Sequence, residues 1–191
     1  MKENDKEKVQ NEKSGGFVVE IYEWLEAIAF ALALVVLMFT FVFRIVSVSG
    51  PSMQPTLHSG DRIVLSSLFY TPKNGDIVVV TQPNSHDNEP LIKRVIAVEG
   101  QTIDVDAEAD TVTVDGVKLN ETYILEQDIE SEGDAYEFPI TVPEGKVFVM
   151  GDNRNDSFDS RSPGLGMVDE KYIMGKAVFR IYPFESVGGL K

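Results

Sequence analysis

Residues 27 to 43, AIAFALALVVLMFTFVF, run seventeen positions without a charge between Glu26 and Arg44. As a helix this run rises about 26 Å, close to the roughly 30 Å hydrocarbon core of a bilayer once Trp24 and Leu25 are added. Its apolar character goes all the way round, which favours a spanning helix over one lying on a surface. The alternative is a cleavable signal peptide, with Ser47-Val48-Ser49 as a small-x-small cleavage site and a soluble protein released after Ser49. Four Lys stand against seven Asp or Glu through Glu26, so the leading segment is not positive overall. The run also exceeds the usual apolar core of a signal peptide. An uncleaved anchor over 23–46 is therefore expected, behind a polar tail at 1–22.

The tail holds the lysines, and orientation follows Lys and Arg rather than net charge. Its side is expected to be cytoplasmic, with 47–191 extracytoplasmic. Net charge is −14, which argues against a nucleic-acid partner, because phosphate binding needs a basic surface. The chain has no cysteine, so disulfides, thiol nucleophiles and thiolate metal sites are excluded. Only two histidines occur, His58 and His86, both in turn-like polar surroundings. Neither points to a metal site, and no metal or other cofactor is expected.

After residue 50 the chain reads as mainly β. DRIVLSS, GDIVVVT, PLIKRVIAVEG, TIDVD, DTVTVDGVKL, GKVFVMGD and GKAVFRIYPF are short β-branched runs punctuated by Gly, Pro or Asp. Asp115-Gly116 predicts a type I′ hairpin turn. The expectation is an all-β, barrel- or sandwich-like domain, with 104–137 as an acidic insertion made of a hairpin and a loop.

Three stretches of this domain can carry chemistry. In SGPSMQPTL, Ser52 stands between Pro51 and Pro55, eight residues beyond Arg44. The prolines restrict φ and lower the entropy of holding the hydroxyl. A serine needs a base to take its proton, and without a convincing histidine the next candidate is a lysine made neutral by burial. Lys93, in LIKRVIAV, sits on one strand face with Leu91, Val95 and Ala97, while Ile92, Arg94, Ile96 and Val98 take the other. The competing reading of Lys93 is an edge-strand charge that discourages aggregation. The third stretch, GDNRNDSFDSR at 151–161, reads equally as a solvated loop of Asx turns or as a site built behind a buried strand.

In this order behind one apolar anchor, the three stretches resemble the bacterial type I signal peptidases, in the single-anchor form of Gram-positive bacteria. The resemblance covers most of residues 20 to 182. It implies a Ser–Lys mechanism with Ser52 as nucleophile and Lys93 as general base. By the same resemblance, Ser157 would hydrogen-bond the lysine amine, Asp159 would pair with Arg161, and Arg94 would pair with Asp152. The oxyanion donors would be the Ser52 backbone N–H and the position two residues earlier. That position is Gly50, which lacks the hydroxyl some relatives carry there. The implied partners are signal-peptide-bearing preproteins and the lipid bilayer. A substrate would add as a strand beside residues 46–50 and 90–93, with Val48, Met53, Leu57, Leu91 and Ile92 lining small apolar pockets. Three rivals stand beside this reading. They are a self-cleaving repressor-type protease, the secreted soluble protein, and an inactive membrane-tethered β-domain acting as a binding module.

Overall fold

Each β-branched run predicted above becomes a strand in the computed structural model, which describes residues 19–37, 43–83, 89–125 and 135–190. The chain divides into a unit at 1–42 and a unit at 43–191. In the first, residues 19–37 form a helix, α1, whose side chains are exposed. Among the described residues no helix is long and apolar enough to cross a membrane. Glu20, Glu23 and Glu26 occupy its first two turns, and residues 38–42 of the apolar run lie outside the described residues. The polar tail at 1–18 and His86 lie outside them too.

The anchor was expected to reach residue 46, but Phe43–Ser47 is a strand, β1. The physical reason is a partner: all five of its residues pair antiparallel with β2 (Arg62–Ser66), and a sheet ladder overrides helical continuation. The main sheet continues with β3 (Ile77–Val80), β4 (Leu91–Val98), β9 (Lys146–Met150), β10 (Val168–Asp169), β11 (Ile173–Tyr182) and β12 (Gly188–Gly189). Its order is β1-β2-β11-β3-β4-β9-β10, with β12 on β11, and every pairing is antiparallel. A second sheet, β7-β6-β5-β8, is built from β5 (Thr102–Asp106), β6 (Thr111–Val114), β7 (Val117–Lys118) and β8 (Ile140–Thr141).

The second sheet revises the picture of 104–137. Its first residues belong to β5, which pairs with both β6 and β8, so the segment is part of a sheet rather than an isolated hairpin. Ile103, Val112 and Val114 from that sheet pack with Phe148, Met150 and Met167 in one core cluster. Within it the predicted turn is present: Asp115 and Gly116 have φ of 53° and 75°, and Val114 pairs with Val117 across them. Residues 126–134 of the same segment lie outside the described residues.

β3 and β4 are covered on both faces, as a central strand pair must be when it reads as a near-continuous apolar run. One face packs Val48, Met53, Leu57, Ile77, Val79 and Ile92 together. The other gathers Val78, Val80, Val95, Val147, Val149 and Leu165, with Leu91 and Phe158 against them. Simple alternation placed Ala97 beside Lys93. A register shift between Val95 and Ala97 instead sends Ala97 to join Ile96 in the cluster under the second sheet. One extra residue reverses the faces of a strand beyond it.

Candidate active site

The segment after β1 turns immediately. Gln54 N–H donates to the Pro51 carbonyl at 3.0 Å and Leu57 N–H to the Met53 carbonyl at 2.8 Å. Met53 and Leu57, 1% and 0% exposed, anchor this turn in the core. Ser52 is thereby left partly exposed at its outer side. Among the described residues, nothing accepts a hydrogen bond from its backbone N–H. Gly50, two residues earlier, has φ of 82° and supplies the bend into the turn.

β4 brings the lysine to this serine. Lys93 pairs across from Val78 on the face it shares with Leu91 and Val95, and is 2% exposed. Its Nζ donates to Ser52 Oγ at 2.7 Å. Burial lowers its pKa from the ordinary lysine value to about 8; Asp159 opposes that fall and Arg161 reinforces it. The reading of Lys93 as a solvent-facing edge charge is excluded, because its side chain is buried.

Residues 151–161 wrap against the same pair. Asp159, 0% exposed, accepts from the Gly151 N–H at 3.0 Å and pairs with Arg161 through Nε at 2.9 Å and Nη2 at 2.8 Å. Burial pushes the Asp159 carboxyl up, but the hydrogen bonds and charge of Arg161, with the Gly151 N–H, outweigh it and hold the group below its ordinary value. Arg94 takes Asp152 in a fork, Nε to Oδ1 at 2.8 Å and Nη2 to Oδ2 at 2.7 Å. Both residues are buried, and Thr56 Oγ1 also donates to Asp152. The two ion pairs that the resemblance implied are thus both formed.

Ser157 differs from expectation. Its Oγ is buried against Gly151 and beside the Asp159 carboxylate, and the bond that the Lys93 amine makes is to Ser52 instead. Of the apolar residues expected to line pockets, Val48, Met53, Leu57 and Ile92 meet in one cluster beside Ser52. Leu91 does not join them; it packs on the opposite face of β4.

Several site residues were not singled out from the sequence. Gly151 is one. A Cβ there would lie 2.3 Å from Ser157 Oγ and 2.5 Å from the Ser52 carbonyl oxygen, so only glycine fits. Asn153 N–H donates to that same carbonyl at 3.0 Å and locks the third stretch to the first. Arg154 is buried and pairs with Glu121, and the Tyr123 ring lies 3.9 Å from the Arg94 guanidinium carbon. Glu121 and Tyr123 sit in the mixed polar and apolar run LNETYIL at 119–125, which carries no local signal of a link to 151–161. Only the buried arginine they serve gives them meaning.

The family described as "Signal peptidase, peptidase S26" matches residues 21–182. The signal peptidase I of Bacillus licheniformis is 38% identical over 184 residues, covering 92% of this chain and 96% of its own. The signal peptidase IB of Staphylococcus aureus is 33% identical, covering 86% and 91%. A solved signal peptidase I from Enterococcus faecalis V583 aligns with a TM-score of 0.44 at 30% identity, over 56% of this chain and 97% of that one. With a family match across most of its length and relatives of this identity, the chain belongs to the signal peptidases of the peptidase S26 family.

Proposed function

We propose that this chain is a membrane-anchored serine endopeptidase that removes N-terminal signal peptides from exported preproteins, using Ser52 and Lys93 as a dyad. The observation that carries the reading is the 2.7 Å contact between Lys93 Nζ and Ser52 Oγ, made by a lysine that is 2% exposed. In the charged form the amine donates to the hydroxyl. Once neutral, the same pair reverses, and the hydroxyl donates to the amine. Ser52 Oγ then attacks the scissile carbonyl carbon while its proton passes to Lys93. The developing oxyanion takes the Ser52 N–H, with Gly50 shaping the approach. Lys93 returns the proton to the leaving amine of the mature protein, which departs as the acyl-enzyme forms. A water then gives its proton to Lys93, attacks the ester, and Ser52 leaves with a proton regained.

Specificity follows from the neighbourhood. β9 pairs with β4 from Arg94 onward, so Leu91 to Lys93 are open to an added strand on that side among the described residues. An extended substrate alternates its side chains, so positions −1 and −3 face the protein and −2 does not. Val48, Met53, Leu57 and Ile92 pack together as an apolar floor beside Ser52, which would favour small apolar side chains at those positions. Leu91 would border the same approach from the strand edge. The apolar run that begins at residue 27 would cross the bilayer before β1 with the N-terminus inside, so that Ser52, eight residues beyond Arg44 in sequence, is on the side where signal helices emerge. The inactive binding-module reading is not favoured, since the relatives are named as signal peptidases.

The test is cleavage of a synthetic signal peptide ending Ala-x-Ala in detergent micelles, with the cut mapped by mass spectrometry. One cut after the final Ala is expected from the wild type and none from Ser52→Ala or Lys93→Ala. Full activity in folded Lys93→Ala would remove the lysine from the mechanism.

A further inference from the structure

Residues 119–125, which follow β7, contact the catalytic loop at several points. Glu121 grips the buried Arg154 with both oxygens: Nη1 donates to Oε2 at 2.9 Å, and Nη2 donates to Oε1. The two side chains are 8% and 0% exposed. Arg154 in turn donates from Nε to the Gly151 carbonyl at 3.0 Å, and its own carbonyl accepts from Arg161 Nη2 at 2.6 Å. Tyr123 donates its hydroxyl to Glu121 Oε1 at 2.9 Å and places its ring 3.9 Å from the Arg94 guanidinium carbon. Burial, then the Glu121 charge, raise the phenol above its ordinary pKa, so it stays a donor. Leu125 N–H donates to the Asp152 carbonyl at 3.0 Å. One strap of the second sheet therefore reaches Gly151, Asp152 and Arg154 of the loop, and Arg94 beside Lys93.

A buried ion pair is weak evidence for stability, because desolvating two charges offsets much of their attraction. Its better attested use is fixing one arrangement. The arrangement at stake is tight, since Gly151 sits between Ser157 Oγ and the Ser52 carbonyl with no room for a Cβ. We propose that Glu121 and Tyr123 are positioning residues for the peptidase reaction: through Arg154 and Arg94 they hold Gly151 and Asp152, and so keep Ser52 within reach of Lys93. This rests on the Ser–Lys reading above. Among the described residues their hydrogen bonds and ring contact go to Arg154, Arg94 and each other rather than to Ser52 or Lys93, so they act on the geometry of the reacting pair and not on substrate affinity.

The experiment uses the full chain in micelles with the Ala-x-Ala peptide, and expresses kcat per folded enzyme from a thermal melt. Glu121→Gln, which leaves Arg154 in place, is expected to lower kcat roughly ten- to a hundred-fold with KM unchanged, the scale of a displaced reactive group. Tyr123→Leu, which removes the ring from Arg94, is expected to do the same. Tyr123→Phe keeps the ring and should recover most of that loss. A kcat per folded enzyme equal to wild type in both Glu121→Gln and Tyr123→Leu overturns the proposal, as does a change confined to KM or equal loss in the Phe and Leu variants. Ser52→Ala run in parallel separates the two levels. If it cleaves like wild type, the Ser–Lys reading has failed; if it is dead while Glu121→Gln and Tyr123→Leu are both unimpaired, only the strap inference has.

Discussion

At Lys93 burial acts directly on the group proposed as base. With its pKa near 8 in the fold and 10.5 as the ordinary value, the folded chain binds fewer protons than the unfolded chain between those pH values. Stability therefore rises with pH across that window; the penalty is fully present below 8 and gone above 10.5. At neutral pH it is worth on the order of 3 kcal/mol, at 1.36 kcal/mol per pH unit. Lys93→Met should abolish cleavage yet raise the melting temperature at pH 7, with the gain shrinking in melts at pH 8 to 10. Wild-type kcat/KM should climb through pH 8 as the amine loses its proton. A flat rate profile from pH 6 to 10 would contradict the base assignment. At Gly151, an alanine must push against the Ser52 carbonyl, a backbone atom that cannot swing away. Gly151→Ala is expected to cost about 1–3 kcal/mol of stability, typical of overpacking. It should also lower kcat far more than that loss implies, a split visible by comparing a denaturant melt with steady-state rates.

Among the elements, strands and turn were legible because their signals are local. Alternating or continuous β-branched runs marked β2 to β6, β9 and β11, and Asp115-Gly116 marked a turn in which both central residues take positive φ. Gly116→Val should destabilise by about 1–2 kcal/mol, since a side chain at positive φ is strained, while leaving kcat unchanged. Loss of cleavage in that variant would tie the hairpin to the site more closely than its position suggests. The short strands β8, β10 and β12 were not legible, because two residues carry no period and exist only through their partners. β1 was read as helix for the same reason in reverse: Phe43-Arg44-Ile45-Val46-Ser47 follows an apolar run directly, and only β2 distinguishes it from a continuation. The shift in β4 that moves Ala97 off the Lys93 face is likewise set by pairing with β9.

At the scale of the whole molecule, residues 43–191 form a unit with its own core, distinct from 1–42. A chain starting at Phe43 is expected to unfold in one cooperative step and to stay soluble after ultracentrifugation of membranes. The full chain should sediment with them and resist carbonate extraction. Recovery of the full chain in the soluble fraction would overturn the anchor. What the sequence determined by itself was whatever depends on residue type and near neighbours: an apolar run, β-rich segments, and Ser52 and Lys93 as a candidate pair, while the two ion pairs came only from the family resemblance of three stretches. The tertiary structure alone decided which amine–hydroxyl contact is made, and left Ser157 Oγ without one. It also placed Glu121 and Tyr123 against arginines 33 and 29 positions away in the chain. The physical reason is that a buried charge takes its meaning from the groups packed around it. Those groups come from strands far apart in sequence, where no local pattern can announce them.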